Sequence, residues 1–303
     1  MDLKQLRYFV TVAETGHITR AAAQLGIQQP PLSQQILALE RTLGTPLFRR
    51  HPRGVVLTEA GEMLLTDSRR LLQDVDAMRE RMHAVAQGHA GVLTVGFTSS
   101  AAAHAFTPRV LRECRRAFPG IALQIREDNA AGLTAGVASG ALHAAFLRVP
   151  VAQPPGVRFE TVLREPVLVA LPLDHPLLAR RARSLTLQQL RNERFILVRR
   201  SGAPGLYAQL LALCEQRGFS PQVASEVDRM MTALNMVAAG DGITVVPASM
   251  RGAHPEAISF RPLAGARSLV APLTLAYRDA DCQGALRSFV QLVRSAAPAA
   301  ARA

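Results

Sequence analysis

Gln29, Ser33 and Gln34 place short, uncharged hydrogen-bonding side chains within two turns of one predicted helix. Glutamine can form a bidentate pair with an adenine edge in the major groove of DNA, and serine can reach a base or a phosphate. Pro30 and Pro31 fit only the first helical turn, where a missing N–H costs little. A recognition helix inserts this end into the groove. The spacing therefore predicts base contacts from Gln29, Pro30, Ser33 and Gln34.

A basic cluster follows this helix. Arg49, Arg50 and Arg53 lie around a turn at Gly54, and residues 55–57 are predicted as a strand. A basic hairpin of this kind can lie on phosphates or enter the minor groove. A solvated helix face and a solvated turn explain any one of these residues taken alone. The ordered combination of a polar helix and a basic hairpin favours DNA.

A third group of residues could bind a small anion. Thr98, Ser99 and Ser100 stand where a predicted strand ends and a helix begins, and hydroxyls beside free N–H groups favour a carboxylate. Arg148 and Arg199 each end a predicted strand, and such strand ends line the ligand crevice of open α/β sheets. A guanidinium fits a carboxylate through paired hydrogen bonds. The alternative, a plain surface charge in an arginine-rich chain, stays open for both arginines.

Patterns for catalysis and metal binding are absent from the sequence. It contains no nucleophile elbow, no His-Glu-x-x-His zinc motif and no phosphate-binding loop. Cys114, Cys214 and Cys282 are far apart and form no Cys-x-x-Cys pair, so free thiols are expected. An enzyme acting on an anionic metabolite is therefore not favoured, and neither a metal nor a cofactor is predicted.

The length and the net charge of the chain limit the number of domains and the kind of partner that can be inferred. The 303 residues allow two or three domains. A net charge of +12 suits an anionic partner, but its distribution along the chain does not single out a DNA-binding segment. No apolar run reaches the roughly 20 residues of a membrane span. The first residues also lack a signal-peptide pattern. A cytoplasmic protein without a membrane partner is expected.

Three helices are predicted to hold the base-reading and basic residues. Apolar residues recur on one face of residues 3–14, and Gly16 ends this first helix. Thr19 is the predicted N-cap of a second helix and a further candidate for a DNA contact. Small residues at 21–23 let the third helix cross closely. Two short helices joined by a tight turn at Gly26 describe a helix-turn-helix, and the basic hairpin beside it is a wing.

Short motifs in residues 1–65 carry a specific resemblance. AAAQL, QPPLS, QIxxLE, LGxPLFRR and LTxAGE occur in this order, and together they resemble the N-terminal signature of the LysR-type transcriptional regulators. The sequence departs from the family's usual residues at two positions that bear on DNA binding. Gln28 stands where the family often has Ser, so a helix cap is missing, which can cost about 1 kcal/mol. Gln34 stands where Arg is common, which removes a phosphate contact and should lower the salt dependence of DNA binding.

A long linker helix is predicted from its cap at Thr58 to about Gln87. Apolar or small residues repeat every seven positions in two series, which forms an a/d seam. A single amphipathic helix lying on its own domain is the alternative. The resemblance favours a dimer, because LysR-type regulators pair through this helix, and a dimer presents two recognition helices to an interrupted palindrome. The two series are Leu64, Leu71, Met78 and Val85, and Gly61, Ser68, Val75 and Met82.

Strands and helices alternate beyond a hinge at 88–91, which predicts parallel α/β units. One unit is followed by a second, and the chain then returns to the first. Two lobes joined by two crossovers enclose a cleft, and this arrangement resembles the periplasmic-binding-protein-like sensor of the same family. The predicted bounds are 91–162 with 268–303 for lobe I, and 163–267 for lobe II.

The resemblance also implies further residues in the cleft. The phrases GFTSS, AFLR and VAAGDGITVVPAS match the subgroup that senses aromatic-pathway carboxylic acids. Ala130 stands where that subgroup commonly has a hydroxyl, so the identity of the ligand stays open. The effector contacts implied by the resemblance are Asn129, Ala130, Pro204, Leu206 and Pro247.

The sequence thus predicts an all-α winged helix-turn-helix at 1–58, a dimerising linker helix at 59–87 and an α/β two-lobed effector-binding domain at 88–303. The predicted function is regulation of transcription, controlled by a small organic anion, a carboxylate, between the lobes. Double-stranded DNA and a second copy of the chain are the predicted partners. The resemblance implies a tetramer built from two dimers, with RNA polymerase as a further candidate partner.

Two other classes of protein are less consistent with this sequence. A solute-binding transport protein would need only the two-lobed domain, and the winged helix argues against it. A nucleoid-type DNA protein would need no ligand, and the polar cleft argues against that class.

Overall fold

The computed structural model describes residues 1–52, 54–148, 153–179, 183–198, 205–265 and 269–298. Contacts within the chain divide it into two compact units, Met1–His83 and Ala84–Ala303. Within the described ranges, no helix is both long and apolar enough to cross a lipid bilayer.

The first unit is a small helical domain with a two-stranded hairpin. Its core consists of fully buried side chains from the three short helices and the segment before the hairpin, among them Phe9, Leu32, Leu39 and Leu47. The two hairpin strands pair antiparallel, from Phe48 opposite Leu57 to His51 opposite Gly54. The elements are α1 (Leu3–Thr15), α2 (Ile18–Gln24), α3 (Gln29–Leu43), β1 (Phe48–His51), β2 (Gly54–Leu57) and α4 (Glu59–Ala86).

The start of α2 differs from the prediction. The helix begins at Ile18, and the extended residue before it is His17, whose side chain caps nothing. Thr19 already lies in the first turn, so its predicted role as N-cap is wrong. The chain leaves α1 through Gly16, whose backbone is left-handed with a φ of 65°. One residue then suffices to enter α2, and the cap falls two positions earlier than the residue type suggested.

Polar contacts join α3 and α4 to the hairpin. Oε1 of Glu40 in α3 accepts hydrogen bonds from the backbone N–H groups of Leu47, at 2.7 Å, and Phe48, at 3.2 Å. Thr58 caps α4, because its hydroxyl oxygen accepts from the N–H of Gly61 at 3.0 Å and donates to the carbonyl of Pro46 at 2.8 Å. These bonds fix the ends of the hairpin to the helices on either side.

The second unit is built from alternating strands and helices. Within the described residues, eight strands form one sheet, with the order β4-β3-β5-β12-β6-β11-β7 and with β10 also paired to β6. A further pair, β8 and β9, is parallel. The strands are β3 (Ala90–Phe97), β4 (Gly120–Glu127), β5 (Ala144–Leu147), β6 (Val157–Pro172), β7 (Leu185–Thr186), β8 (Arg194–Val198), β9 (Gln222–Val227), β10 (Thr244–Pro247), β11 (Ile258–Ala264) and β12 (Val270–Arg278). The helices are α5 (Ser99–Ala102), α6 (Phe106–Ala117), α7 (Ala130–Ser139), α8 (Gly205–Gln216), α9 (Met230–Ala238) and α10 (Gly284–Ala296).

Two separate buried clusters define two lobes in this unit. The core of lobe I includes Leu93, Val95 and Phe146, and the core of lobe II includes Val169 and Phe195. The long strand β6 contributes residues to both cores, and β12 does the same on the way back. The predicted fold class, a helix-turn-helix domain, a linker helix and a two-lobed α/β domain, is confirmed.

The helix that was predicted to begin after Thr98–Ser100 is divided into α5 and α6. Pro108 gives the physical reason: it has no N–H for a bond to the carbonyl of His104, and its ring would clash with that carbonyl in a continuous helix. The break is held by a hydrogen bond from the hydroxyl of Thr107 to the carbonyl of Ala101, at 2.7 Å. The helix after β3 is therefore a single turn, and a macrodipole argument for anion binding there is weaker than predicted.

Candidate DNA-binding surface and effector cleft

The outer face of α3 carries the predicted base-reading residues. Leu32, Ile36 and Leu39 are buried on the inner face, whereas Gln29, Pro30 and Gln34 are exposed and Ser33 is half-buried. The amide nitrogen of Gln29 lies 3.3 Å from the hydroxyl of Ser33, which places the two side chains together one turn apart. The structure therefore presents one contiguous polar patch at the N-terminal end of α3.

The wing positions its arginines differently from one another. Arg49 and Arg50 are both exposed on β1, and successive strand residues project to opposite faces. Gly54 follows with a φ of 133°, and a Cβ there would meet the carbonyl of Gly16 at 2.2 Å, so the hairpin needs glycine at this point. Thr19 is exposed in α2. Arg53 lies outside the described residues.

Replacing Gln29 with Ala is expected to weaken binding to a selected operator more than binding to random DNA. Loss of a base contact typically costs about 1–3 kcal/mol. Gln73→Ala, an exposed glutamine on α4, is the matched control and should leave both affinities unchanged. Fluorescence anisotropy at one salt concentration measures both DNAs. An equal loss on both would show that Gln29 only positions the protein.

The predicted seam of α4 is divided between two environments. Gly61 and Ser68 are buried against the first unit itself, and Leu64 packs against the core of that unit. Leu71, Met78, Met82 and Val85 are exposed apolar side chains, and Val75 is half-buried. The N-terminal part of α4 thus lies on its own domain, which was the alternative interpretation, while the later part keeps an open apolar stripe.

Three neighbouring strand ends of lobe I bring the predicted effector residues to one edge of the sheet. Phe97 pairs with Glu127 on one side and with Phe146 on the other. The residues that follow these strands therefore meet, and they include Thr98–Ser100, Asn129 and Arg148. Thr98 donates its backbone N–H to the carbonyl of Phe146 at 3.1 Å, which fixes the start of this edge.

Several of these polar groups already have partners in the protein. The hydroxyl oxygen of Thr98 accepts the N–H of Ala101 at 3.3 Å, and Oδ1 of Asn129 accepts the N–H of Gly132 at 3.0 Å. They therefore act as the N-caps of α5 and α7. Ser100 is buried, and its hydroxyl lies 3.4 Å from that of Thr98.

The remaining predicted effector residues, Ala130 in lobe I and the others in lobe II, are less uniform. Pro247 ends β10 and is buried at the edge that leads to Ser249. Ala130 begins α7 and is half-buried. Leu206 is only 3% exposed and packs in the core of lobe II, which does not support the direct effector contact implied by the resemblance. Arg199 and Pro204 lie outside the described residues.

Arg148 is buried and already paired, so it is not the plain surface charge that was the alternative interpretation. Its Nη1 lies 2.5 Å from Oε1 of Glu165, and its Nη2 donates to the carbonyl of Ser100 at 2.7 Å and to the hydroxyl of Ser249 at 3.0 Å. Burial lowers the pKa of the Arg148 guanidinium, and the carboxylate of Glu165 opposes that shift. The group stays cationic, but its charge is balanced.

Glu165 and Ser249 were missed in the sequence. Glu165 lies in β6, and Ser249 follows β10, so their contact with Arg148 joins strands that are far apart in the chain. One signal was present: an acidic residue beside the apolar run PVLVALP indicates a buried charge that needs a partner. The sequence could not identify Arg148 as that partner. Arg148 follows β5 and Glu165 lies in β6, and β12 separates these two strands in the sheet.

Two further polar residues belong to the cleft. Nδ1 of His104 accepts the backbone N–H of Phe106 at 3.0 Å, so the neutral ring carries its proton on Nε2. Burial lowers the pKa of His104, with opposing contributions from Glu165, which raises it, and Arg148, which lowers it further. Arg229, the residue before α9, contacts two carboxylates of the other lobe. Its Nη1 lies 3.7 Å from Oε1 of Glu127, and its Nη2 lies 3.9 Å from Oδ1 of Asp128. Both contacts are exposed and contribute little to stability.

A winged helix-turn-helix with a free polar face, a long helix and a two-lobed domain with a polar cleft define a ligand-responsive DNA-binding regulator. Two family models match the chain accordingly. Residues 3–62 match the model described as bacterial regulatory helix-turn-helix protein, lysR family. Residues 86–298 match the model described as LysR substrate binding domain. The chain belongs to the LysR family of transcriptional regulators.

Named relatives and solved structures agree with this assignment. The chain is 38% identical to the HTH-type transcriptional regulator BudR of Raoultella terrigena, over 96% of this chain and 100% of that protein. It is 34% identical to the HTH-type transcriptional regulator AlsR of Bacillus subtilis (strain 168), over 96% and 95%. The crystal structure of CbnR, a LysR family regulator, matches with a TM-score of 0.86 at 29% identity, over 97% of this chain and 100% of that one. These names confirm the prediction of a regulator rather than an enzyme.

Proposed function

We propose that the chain binds an interrupted palindrome as a homo-oligomer and that a small organic carboxylate, bound between its lobes, controls this binding. The observation that carries the effector part is the meeting of three polar strand ends, at Thr98, Asn129 and Arg148, with the hydroxyl of Ser100 beside them. A few convergent polar groups of this kind are typical of a site for a small ligand. A carboxylate supplies acceptor oxygens to several of them at once.

The DNA part of the proposal is supported by the exposed patch on α3. A full-length CbnR complexed with its target DNA matches this chain with a TM-score of 0.82 at 28% identity, over 98% of this chain and all of that one. Two copies paired through α4 would present two such patches to two half-sites. The genome is the proposed site of action, and the protein is accordingly proposed to act in the cytoplasm.

Control by an effector requires no new structure. A ligand that binds one arrangement of the lobes better than another shifts the population towards it, by no more than the ratio of its two affinities. Helix α4 continues directly towards β3, which begins at Ala90, so a change in lobe I has a covalent route to the DNA-binding domain.

Replacing Ser100 with Ala tests the cleft. A hydrogen bond to a charged group contributes about 1.5–3 kcal/mol, so the affinity for a bound carboxylate should fall at least about tenfold. Isothermal calorimetry on the full chain with a panel of small carboxylates measures this effect. Ser139→Ala, at the exposed end of α7, is the matched control and should leave affinity unchanged.

The outcomes separate the parts of the proposal. A carboxylate that binds parent and Ser100→Ala equally well places the pocket elsewhere, and a panel in which only neutral compounds bind contradicts the ligand class. Ser100→Ala is preferable to Arg148→Met, because the latter would leave the buried Glu165 carboxylate without its cation.

A further inference from the structure

A hydrogen-bonded pair of glutamines joins the start of α1 to α3. Nε2 of Gln5 donates to Oε1 of Gln35 at 3.2 Å, and both side chains are half-buried. Both residues lie in the first unit, and neither is among the residues that the sequence predicts to contact DNA. The pair determines which end of the Gln35 amide stays available for another partner.

The capping box of α1 fixes the orientation of the Gln5 amide. The backbone N–H of Asp2 donates to one end of this amide at 3.2 Å, and Oδ1 of Asp2 accepts the backbone N–H of Gln5 at 2.7 Å. The end that accepts from a backbone N–H has to be the carbonyl oxygen, so the other end is the donor Nε2. Gln5 can therefore meet Gln35 only as a donor, and Gln35 has to turn its own oxygen towards Gln5.

This arrangement leaves the amide nitrogen of Gln35 available. Within the described ranges, the bond from Gln5 is the one hydrogen bond that the Gln35 amide makes. An NH₂ group has two N–H donors and no acceptor, so it binds oxygen or nitrogen acceptors such as a phosphate or the acceptor atoms of a base edge. The position of Gln35 on α3 decides between these two partners.

Gln35 lies on the opposite flank of α3 from Gln29. Successive helix residues are about 100° apart, so Gln29 falls about 60° to one side of the buried Leu32 and Gln35 about 60° to the other. A helix with its side chains is about 10–12 Å across and the major groove is about 12 Å wide. A recognition helix therefore fills the groove, and a donor on its flank meets the sugar-phosphate backbone.

We propose that Gln35 donates to a DNA phosphate and that Gln5 is the positioning residue that keeps this donor available. The inference rests on the proposed binding of DNA and adds a contact on the side of α3 opposite Gln29. Phosphate contacts fix the register and orientation of a protein on the duplex and carry no sequence information directly. Because the donor is uncharged, the contact displaces no counterion and leaves the salt dependence of binding low.

Replacing Gln35 with Glu tests the contact without disturbing the pair. Glutamate has the same shape and can still accept from Gln5, so the melting temperature should stay that of the parent. A carboxylate held against a phosphate is repelled, so affinity should fall at least about tenfold for a selected operator and by the same factor for random DNA. Gln73→Glu adds the same charge at an exposed position of α4 and should leave both affinities unchanged.

Replacing Gln35 with Lys gives a second measurement that does not depend on the first variant. A lysine at this flank would pair with the phosphate as a cation, so the slope of log affinity against log salt should steepen by about 0.9 for each bound protomer. Anisotropy titrations over a series of salt concentrations measure the slope. An unchanged slope, or a Gln35→Glu protein that binds both DNAs as tightly as the parent, would overturn the proposal. A loss confined to the operator would also overturn it, because Gln35 would then contact a base.

The positioning role of Gln5 is tested by Gln5→Glu. The carboxylate can still accept from Asp2 but cannot donate, so the Gln35 amide has to turn its nitrogen inwards and present its oxygen to the phosphate. Affinity for both DNAs should fall, and the same change in a Gln35→Ala background should have little effect. An equal loss in both backgrounds would show that Gln5 acts without Gln35.

These outcomes are distinct from failure of the proposed function. If Gln29→Ala weakens operator binding and the Gln35 variants change nothing, α3 remains the recognition helix and only the phosphate contact is wrong. If the Gln35 variants behave as expected and the parent does not prefer an interrupted palindrome over random DNA, the phosphate contact stands and the proposed target is wrong.

Discussion

Replacing Leu71 with Asp is expected to convert the assembled protein into monomers. Leu71 is 44% exposed, and Met78 and Val85 repeat it at seven-residue intervals as further exposed apolar side chains. Such a stripe is stabilised when a second copy covers it. A carboxylate at its centre would have to be buried without a partner, which is prohibitively costly for the assembly. Light scattering coupled to size-exclusion chromatography measures the mass directly.

Met63→Asp is the matched control for this prediction. Met63 is 68% exposed on the same helix but lies outside the seven-residue series, so its variant should keep the parental mass. The Leu71→Asp monomer should also bind a full palindrome little better than a single half-site. A Leu71→Asp protein that keeps the native mass would remove α4 as the pairing element.

The DNA-binding unit could be predicted almost completely from sequence, because its stabilising contacts are local. The residues of α3 alternate between core and surface with helical period, and the capping residue Thr58 and the left-handed Gly16 and Gly44 lie at the ends of their helices. The error at Thr19 has a specific cause. Residue type alone favoured a hydroxyl as N-cap, and the short connection after Gly16 placed His17 there instead.

The effector cleft could be predicted only in part. The strand ends at Thr98 and Arg148 follow from alternation of strands and helices, but the partners of Arg148 do not. Glu165 and Ser249 reach it through strands that are not neighbours in the chain, and no local pattern encodes that pairing. A buried cation in a protein interior is balanced by a nearby anion, but the sequence does not show which anion lies beside Arg148.

The packing of the α4 seam could also be predicted only in part from the sequence. A heptad pattern indicates which face of a helix is apolar, and it does not indicate what covers that face. Gly61 and Ser68 continue the series that includes Met82, yet they lie against the domain that precedes them. Small residues in a seam allow close approach by any neighbour, including the rest of the same chain.

Replacing Gly61 with Ala should destabilise the first unit, although the same change usually stabilises a helix. Alanine is favoured over glycine in a helix interior by about 1 kcal/mol. At position 61, however, a Cβ would lie 2.3 Å from the carbonyl oxygen of Leu47 and 2.9 Å from a methyl group of Leu57. The carbonyl belongs to the backbone before the wing and cannot turn away. Relieving such overpacking typically costs about 1–3 kcal/mol, which exceeds the gain in helix propensity at the upper end of that range.

Gly61→Ala should also weaken DNA binding, because the clash displaces α4 from the segment before the wing. To accept the Cβ, α4 must move away from Leu47, and the cap that Thr58 provides to the N–H of Gly61 must lengthen. The wing would then lose its fixed position relative to α3, so affinity for DNA should fall together with the melting temperature of the first unit. Differential scanning calorimetry and anisotropy measure the two effects. Gly252→Ala is the control, because a Cβ there meets no described atom within 4 Å. A Gly61→Ala protein more stable than the parent would show that α4 is not closely packed on the segment before the wing.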